Sequence, residues 1–448
     1  MSGQAAGPEP AWCRLHPLSP VVRSGHGVLA VLAVVGVSSS TAAGHGWFDL
    51  AMPVAAAGAA ALAAVIGWLV TRWRLEGLTL RIETGLLRRD SRQLPVARIQ
   101  AVDVVRPFLA RALGLAELRV RLAGSDDADG RLAYLTEQAA MDLRAQLLAA
   151  HHGLDPATPE PAERIALTVP AGRLAGSVLL STSGAACVAV IVGLILSVVS
   201  PIGVAAVAGT LGWWLVSFVP LAWRRVSAQY GFTVAQSPDG IRIRRGLLGT
   251  VAETIPVPRV QAMRMVEPLL WRPMGWCRLE VDVAGSPGRD SADGGGRMRK
   301  ALLPVGHPDE AAFLLRMVAG SAAPALSRPP RRACWKAPLS YHNLAAGHDG
   351  MVAVSVTGRL RRVTTWVPLA KAQSVRLVQG PLQRRLALAT VHLDAAGQVR
   401  AEFRERPQAQ ARLLVHELAA LSRNARRQGV VVQAASVASP VNAAQSEA

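Results

Sequence analysis

Seven cations stand at recurring places in this sequence. Arg98, Arg259 and Lys371 each follow a proline by three residues. Arg111, Arg272 and Arg384 follow the same prolines by sixteen, and Arg385 stands beside the last. Such side chains offer N–H donors and a fixed positive charge, so the chemistry open to them is contact with anionic lipid headgroups or with a partner. A cation repeated in this way also serves as a solvated or strand-capping group, and both readings stand. Gln100, Gln261 and Gln373 recur five residues after the prolines, where an amide side chain suits hydrogen bonding to turn backbone.

Other chemistry finds little support. The four cysteines, Cys13, Cys187, Cys277 and Cys334, are far apart, which argues against a disulfide or zinc framework. The ten histidines show no metal-ligand spacing, and no phosphate loop, serine elbow or defensible carboxylate pair appears. The expectation is a non-enzyme with no catalytic residues, cofactor or metal.

The elements that must hold the cations come from a repeat. "LPVARIQAV" at 94–102 returns as "IPVPRVQAM" at 255–263 and "VPLAKAQSV" at 367–375. Aligned on Pro95, Pro256 and Pro368, the copies run without a gap to a shared glycine, each 29 residues further on. One internal spacing in three copies marks a duplicated structural unit. Leu118, Val120 and Leu122 alternate with Glu117, Arg119 and Arg121, and Leu279, Val281 and Val283 alternate with Arg278, Glu280 and Asp282. Period two with one polar face predicts half-buried antiparallel strands. Upstream, "LTLRIETGLLRR" and "GIRIRRGLLGT" predict short strands about a glycine turn. Each copy ends in a predicted helix: Thr136–Ala150, Pro308–Ala319 and Pro407–Arg423.

Between the copies lie apolar runs. The chain is 51% hydrophobic, with a mean hydropathy of +0.27 and a formal charge of +19. Val28–Ala43, Ala51–Val70, Leu174–Ser200 and Ile202–Ala222 lack Asp, Glu, Lys and Arg and approach the roughly 20 residues of a membrane-spanning helix. They predict two transmembrane hairpins, 28–74 and 173–225. The outer ends of both carry Arg, at 14, 23, 72, 74, 164, 173, 224 and 225, and Trp47, Trp68, Trp73, Trp213, Trp214 and Trp223 sit near span ends. The positive-inside rule then places both termini and every β module in the cytoplasm of a multi-pass protein of the cell membrane. A cleaved signal peptide is the rival for the first run.

The predicted order is a segment at 1–27, the hairpin at 28–74, a β module at 75–150, a linker at 151–172, the hairpin at 173–225, a module at 228–320, a linker at 321–339, a module at 340–424 and a disordered tail at 425–448. The glycine-turn hairpin, the Pro-x-x-[Arg/Lys]-x-Gln phrase and the alternating strand together resemble the bacterial pleckstrin-homology-like domain. Alternation with apolar hairpins resembles the YdbS/YdbT-like group of bacterial membrane proteins. The resemblance covers most of the chain and implies a membrane α + β fold, with three PH-like antiparallel β-barrel or sandwich modules each closed by a C-terminal helix. It also implies a smaller membrane protein with one such domain as a partner. Copy three departs from the pattern: Ala387 stands where Gly114 and Gly275 stand, and a linker, "SRPPRRACWKAP", replaces a hairpin.

The functional expectation is an integral membrane protein whose modules bind a membrane protein partner or anionic lipid headgroups, with a transporter or channel subunit as the alternative. Several Arg near an anionic leaflet favour membrane lipids as partners. Copy three is rich in positive charge around its strands, with Arg359, Arg361, Arg362, Lys371, Arg376, Arg384 and Arg385. Nucleic acid is disfavoured because the Arg residues are spread out and no motif of that class occurs. No small-molecule substrate is inferred.

Overall fold

In the computed structural model, residues 12–22, 47–85, 89–122, 130–152, 163–181, 218–237, 240–284, 300–320, 324–396 and 399–443 are described. The elements form two compact units. One comprises residues up to Ala166 together with Phe232–Pro256; the other comprises Leu167–Gly231 and Val257 onward.

The first unit holds copy one. Strands β1 (Cys13–Arg14), β2 (Arg72–Glu76), β3 (Thr79–Thr84) and β4 (Asp90–Pro95) make a four-stranded sheet in that order, with helix α1 (Trp47–Val70) between β1 and β2 in the chain. The repeated phrase then forms one 3-10 turn, Val96–Arg98, which turns the chain into a second sheet: β5 (Ile99–Arg106), helix α2 (Phe108–Ala112), β6 (Leu115–Leu122) and β7 (Gly130–Thr136). Helix α3 (Glu137–His152) closes the module. The alternation read from sequence dictates the packing. Leu80, Ile82 and Leu94 from one sheet meet Val102, Leu118, Val120 and Leu132 from the other, with Leu143 and Leu147 of α3 across the open end. Each such buried aliphatic contributes roughly 1.5–3 kcal/mol.

The second sheet does not stop at copy one. Its order is β7-β6-β5-β11-β10-β9-β8, where β8 (Arg164–Thr168), β9 (Thr233–Ser237), β10 (Gly240–Arg245) and β11 (Thr250–Ile255) are the opening strands of copy two. The rest of copy two lies in the second unit. Helix α4 (Ala171–Leu179) there precedes β12 (Val260–Pro268), β13 (Cys277–Val283), β14 (Lys300–Gly306) and helix α5 (Pro308–Ala319). These strands join the opening strands of copy three, β15 (Ala345–His348), β16 (Val352–Thr357) and β17 (Arg361–Pro368), in the order β14-β13-β12-β17-β16-β15. Copy three finishes with β18 (Ala372–Val378), helix α6 (Pro381–Arg385), β19 (Leu388–Ala395), β20 (Arg400–Pro407) and helix α7 (Gln408–Ala443). Its core joins Ala353 and Val367 to Val391, Leu393 and Phe403, under Ala411 and Leu418 of α7.

The two seams between copies, β5 with β11 and β12 with β17, share one register. Thr250 faces Arg106 and Val251 faces Val105 in the first. Arg362 faces Glu267 and Val363 faces Val266 in the second. Counted from the repeated proline, these are the same positions. The glycine ten residues before that proline has positive φ in all three copies: 100° at Gly85, 118° at Gly246 and 88° at Gly358. A Cβ at Gly358 would meet the Arg361 carbonyl oxygen at 2.1 Å, so the hairpin turn requires glycine. At the later shared position Gly114 and Gly275 take φ of 67° and 63°, and Ala387 adopts 48° in their place.

The transmembrane reading is corrected. Among the described residues no helix is long and apolar enough to cross a membrane. Helix α1 contains the apolar run at 51–70. Its neighbours also differ from the expectation. Trp68, expected at a lipid interface, donates from Nε1 to the Leu15 carbonyl at 2.9 Å and packs with Trp73 on the core of copy one. Arg72 and Arg74, expected as topogenic cations, lie over the Trp12 ring in β2, and Arg173 pairs with Glu310 at 2.9 Å. The run 28–43, residues 182–217 and Cys187 lie outside the described residues, as do most of the loops at 124–130 and 285–296. The multi-pass placement, the cytoplasmic assignment and the transporter alternative all rested on membrane-crossing helices, and no described helix supplies one. The fold of the described residues is antiparallel sheet with a helix ending each of the three copies.

Candidate functional site

The expected cations divide by what they touch. Arg111 on α2 donates from Nη1 to the Leu247 carbonyl at 2.8 Å, and Arg272 donates from Nη2 to the Arg359 carbonyl at 2.6 Å. Leu247 and Arg359 occupy one position, in the hairpin turn of the copy that follows. The guanidinium sixteen residues after the proline therefore ties each sheet seam to the next hairpin. Arg384 stands at that position in copy three; its side chain is exposed and has no partner among the described residues. Arg385 beside it is exposed as well. Of the earlier set, Lys371 donates to the Pro258 carbonyl at 2.7 Å. Arg98 is exposed at the end of its turn. Arg259 is half-buried, and burial holds its guanidinium below the usual pKa. Gln261 Nε2 donates to the Arg259 carbonyl at 3.2 Å, a bond to turn backbone. The seven cations do not converge on one site.

A different set does converge. Along β20, Ala401 and Phe403 are buried in the core of copy three, so Arg400, Glu402 and Arg404 project from the opposite face. There they overlook the sheet that continues from copy three into copy two. Together with Arg264 of β12, Ser355 and Thr357 of β16, Val363 and Thr365 of β17 and Val399, they line a cleft of about 200 Å³. The cleft exists because the sheet is shared: without β12 its floor would end at β17.

Its electrostatics favour an anion. Three Arg and one Glu give the walls a net excess of two positive charges. The Glu402 carboxylate is engaged by Arg404 and lies 4.0 Å from Arg400 Nε and 3.7 Å from His392 Nδ1. Burial pushes the His392 pKa down, opposed by Glu402. The Glu402 N–H donates to Ser355 Oγ at 3.1 Å, which leaves the Ser355 proton to donate elsewhere. Hydroxyl donors beside guanidinium groups suit phosphate or carboxylate oxygens. The sequence held a cue to this set: "RAEFRER" at 400–406 alternates charged and apolar residues and places Arg400, Glu402 and Arg404 on one face. Arg264 was illegible, because its arrival depends on pairing between copies.

Among the described residues no group of three or more His, Cys, Asp or Glu side chains could hold a metal ion. Cys277 is buried; its thiol is pushed up to about 12 by desolvation and by Glu267 and Glu310. A thiol so protonated is a poor nucleophile.

The family model for the bacterial PH domain matches residues 27–151, 176–322 and 332–421, most of the chain and each of the three copies. The chain belongs to the bacterial PH domain family. No curated protein and no solved structure matches it. The bacterial PH modules are thus three in sequence, while the sheets are divided differently: both seams join the second half of one module to the first half of the next.

Proposed function

We propose that this chain is a non-catalytic binding protein, and that its third bacterial PH module holds a phosphate group in the cleft between β20 and the shared sheet. The observation that carries this reading is the convergence of Arg264, Arg400 and Arg404 with the Ser355, Thr357 and Thr365 hydroxyls around one carboxylate that is already neutralised. The phosphate belongs to a soluble ester or to a lipid headgroup; the chemistry of recognition is the same. Arg400 and Arg404 are nearly half exposed, so salt screens their attraction strongly. A lone phosphate is expected to bind with a Kd on the order of 1 mM, about 4 kcal/mol.

The test is calorimetry of the full chain with inorganic phosphate, alongside flotation with vesicles of neutral or anionic phospholipid. Binding of both phosphate and anionic vesicles, lost together in Arg400→Ala/Arg404→Ala, supports a headgroup ligand. Phosphate binding without vesicle binding supports a soluble ester. Absence of both, or binding indifferent to the two substitutions, overturns the reading.

A further inference from the structure

We propose that β18 of one chain pairs with β4 of a second copy of the same chain, repeating between molecules the seam that the molecule forms twice within itself. The proposal stands apart from the phosphate cleft and uses none of its residues.

Within the chain, the strand after the repeated proline of one module pairs with the strand before that proline in the next. This joins β5 to β11 and β12 to β17 in one register. Two strands of these types are left over. Among the described residues, β4 and β18 lack such a partner. Both end their sheets. Asp90 to Gln93 of β4 and Arg376 to Val378 of β18 are exposed, with Leu377 and Val378 at 38% and 45%. Unpaired strand edges of this kind template further pairing. The remaining end strands differ, because β1, β8 and β15 at one end and β7, β14 and β20 at the other are sheet ends in every copy. Only the β4 and β18 edges are used internally wherever a neighbouring module exists.

Arg384 adds a second observation. Its counterparts Arg111 and Arg272 each bind a hairpin carbonyl of the following module, whereas Arg384 has no partner among the described residues. It is placed to take the hairpin of an incoming module.

Charge identifies that module. In the first seam Arg121 bridges Asp103 at 2.7 Å and Glu253 at 3.0 Å, so one cation on β6 joins an acid on each strand of the seam. The positions equivalent to Asp103 and Arg121 in copy three are Arg376 and Asp394, already paired at 2.6 Å. The position equivalent to Glu253 in copy one is Arg92. Pairing β18 with β4 in the internal register sets Val375 against Gln93, Arg376 against Arg92, Leu377 against Ser91 and Val378 against Asp90. Arg376 and Arg92 then share Asp394 as Asp103 and Glu253 share Arg121, with every sign inverted. Before pairing, Arg92 rests on Asp90 at 3.1 Å in a half-exposed contact that is easily exchanged. The contact is head-to-tail, so it extends into rings or linear chains.

The full chain is tested by sedimentation velocity over a concentration series. The parent should self-associate. Arg92→Glu and Asp394→Arg block opposite ends, and each alone should lower the association constant by about tenfold or more, since like charges then meet across the seam. Mixed, the two meet natively at one junction and with both charges at 92 and 394 reversed at the other, so opposite signs face each other at both and association should return toward that of the parent. The triple variant Arg92→Glu/Arg376→Asp/Asp394→Arg rebuilds the sign pattern of the first seam and should restore assembly. Circular dichroism checks that each variant is folded. Should charge reversal unfold the chain, Arg384→Ala carries the test and should weaken association. A parent that stays monomeric throughout, or variants that assemble like the parent, overturn the proposal.

Discussion

Ala387 shows how one side chain records the divergence of the copies. It holds φ of 48° where the other two copies use glycine, and its carbonyl accepts from Gln408 N at 3.1 Å at the start of α7. An L-residue in the left-handed region costs roughly 1–2 kcal/mol, while glycine costs about 0.5–1 kcal/mol in unfolded-state entropy. Ala387→Gly should therefore stabilise the chain by about 0.5–1 kcal/mol, read as a higher midpoint in urea. His392 offers a second prediction at this scale. Burial keeps its folded pKa below the ordinary 6.5. As pH falls, the unfolded chain takes up this proton before the folded one does. The contribution of His392 is whole above about pH 6.5 and is lost as pH falls from there toward the folded value. His392→Gln should flatten that part of the stability profile, and an NMR titration of the imidazole should show the lowered midpoint. A midpoint at or above 6.5 would contradict the assignment.

Among elements, the seam strands carry an unusual load. Asp103 and Glu253 are both buried where β5 meets β11, and Arg121 is the cation that joins them. Removing it leaves two carboxylates facing each other out of water. Arg121→Ala should cost about 3–5 kcal/mol in thermal or denaturant unfolding, the usual range for breaking one side of a buried pair. Asp103→Asn/Arg121→Leu/Glu253→Gln, which removes the charges together, should cost much less. If the single and triple variants were equally destabilised, the network would be incidental. The alternation in 117–122 announced the strand β6, with Leu118 and Val120 fully buried as expected, while Leu122 is only half-buried and Glu117, read on the polar face, is buried. It also suggested that Arg121 would point to water. The structure instead seats Arg121 between two strands, one of them from another copy.

For the whole molecule, sharing of sheets makes the repeat unit and the folding unit different things. A fragment of residues 324–448 contains copy three but strips β12 from β17, baring a sheet edge and removing the cleft wall at Arg264. A fragment of residues 257–448 keeps both. The longer fragment should unfold in a single sharp transition and the shorter one should melt earlier and aggregate, as monitored by calorimetry and light scattering. Equal behaviour would mean that the seam adds nothing to stability.

The sequence by itself determined the number of copies, the strand at 115–122, the glycine turns before each proline and the family. All of these depend on local rules: side-chain period, positive φ, and spacing conserved by duplication. It was misleading on the apolar runs, because hydropathy scores a segment without asking what its neighbours are; Trp68, Arg72 and Arg173 found partners inside the modules. Only the tertiary structure decided which strands pair. In an antiparallel sheet the backbone hydrogen bonds are the same whichever copy supplies the neighbouring strand, so sequence period fixes which face is buried and leaves the partner open. That choice brings Arg264 to Arg400, sets Glu253 beside Arg121, and leaves β4 and β18 at sheet edges among the described residues.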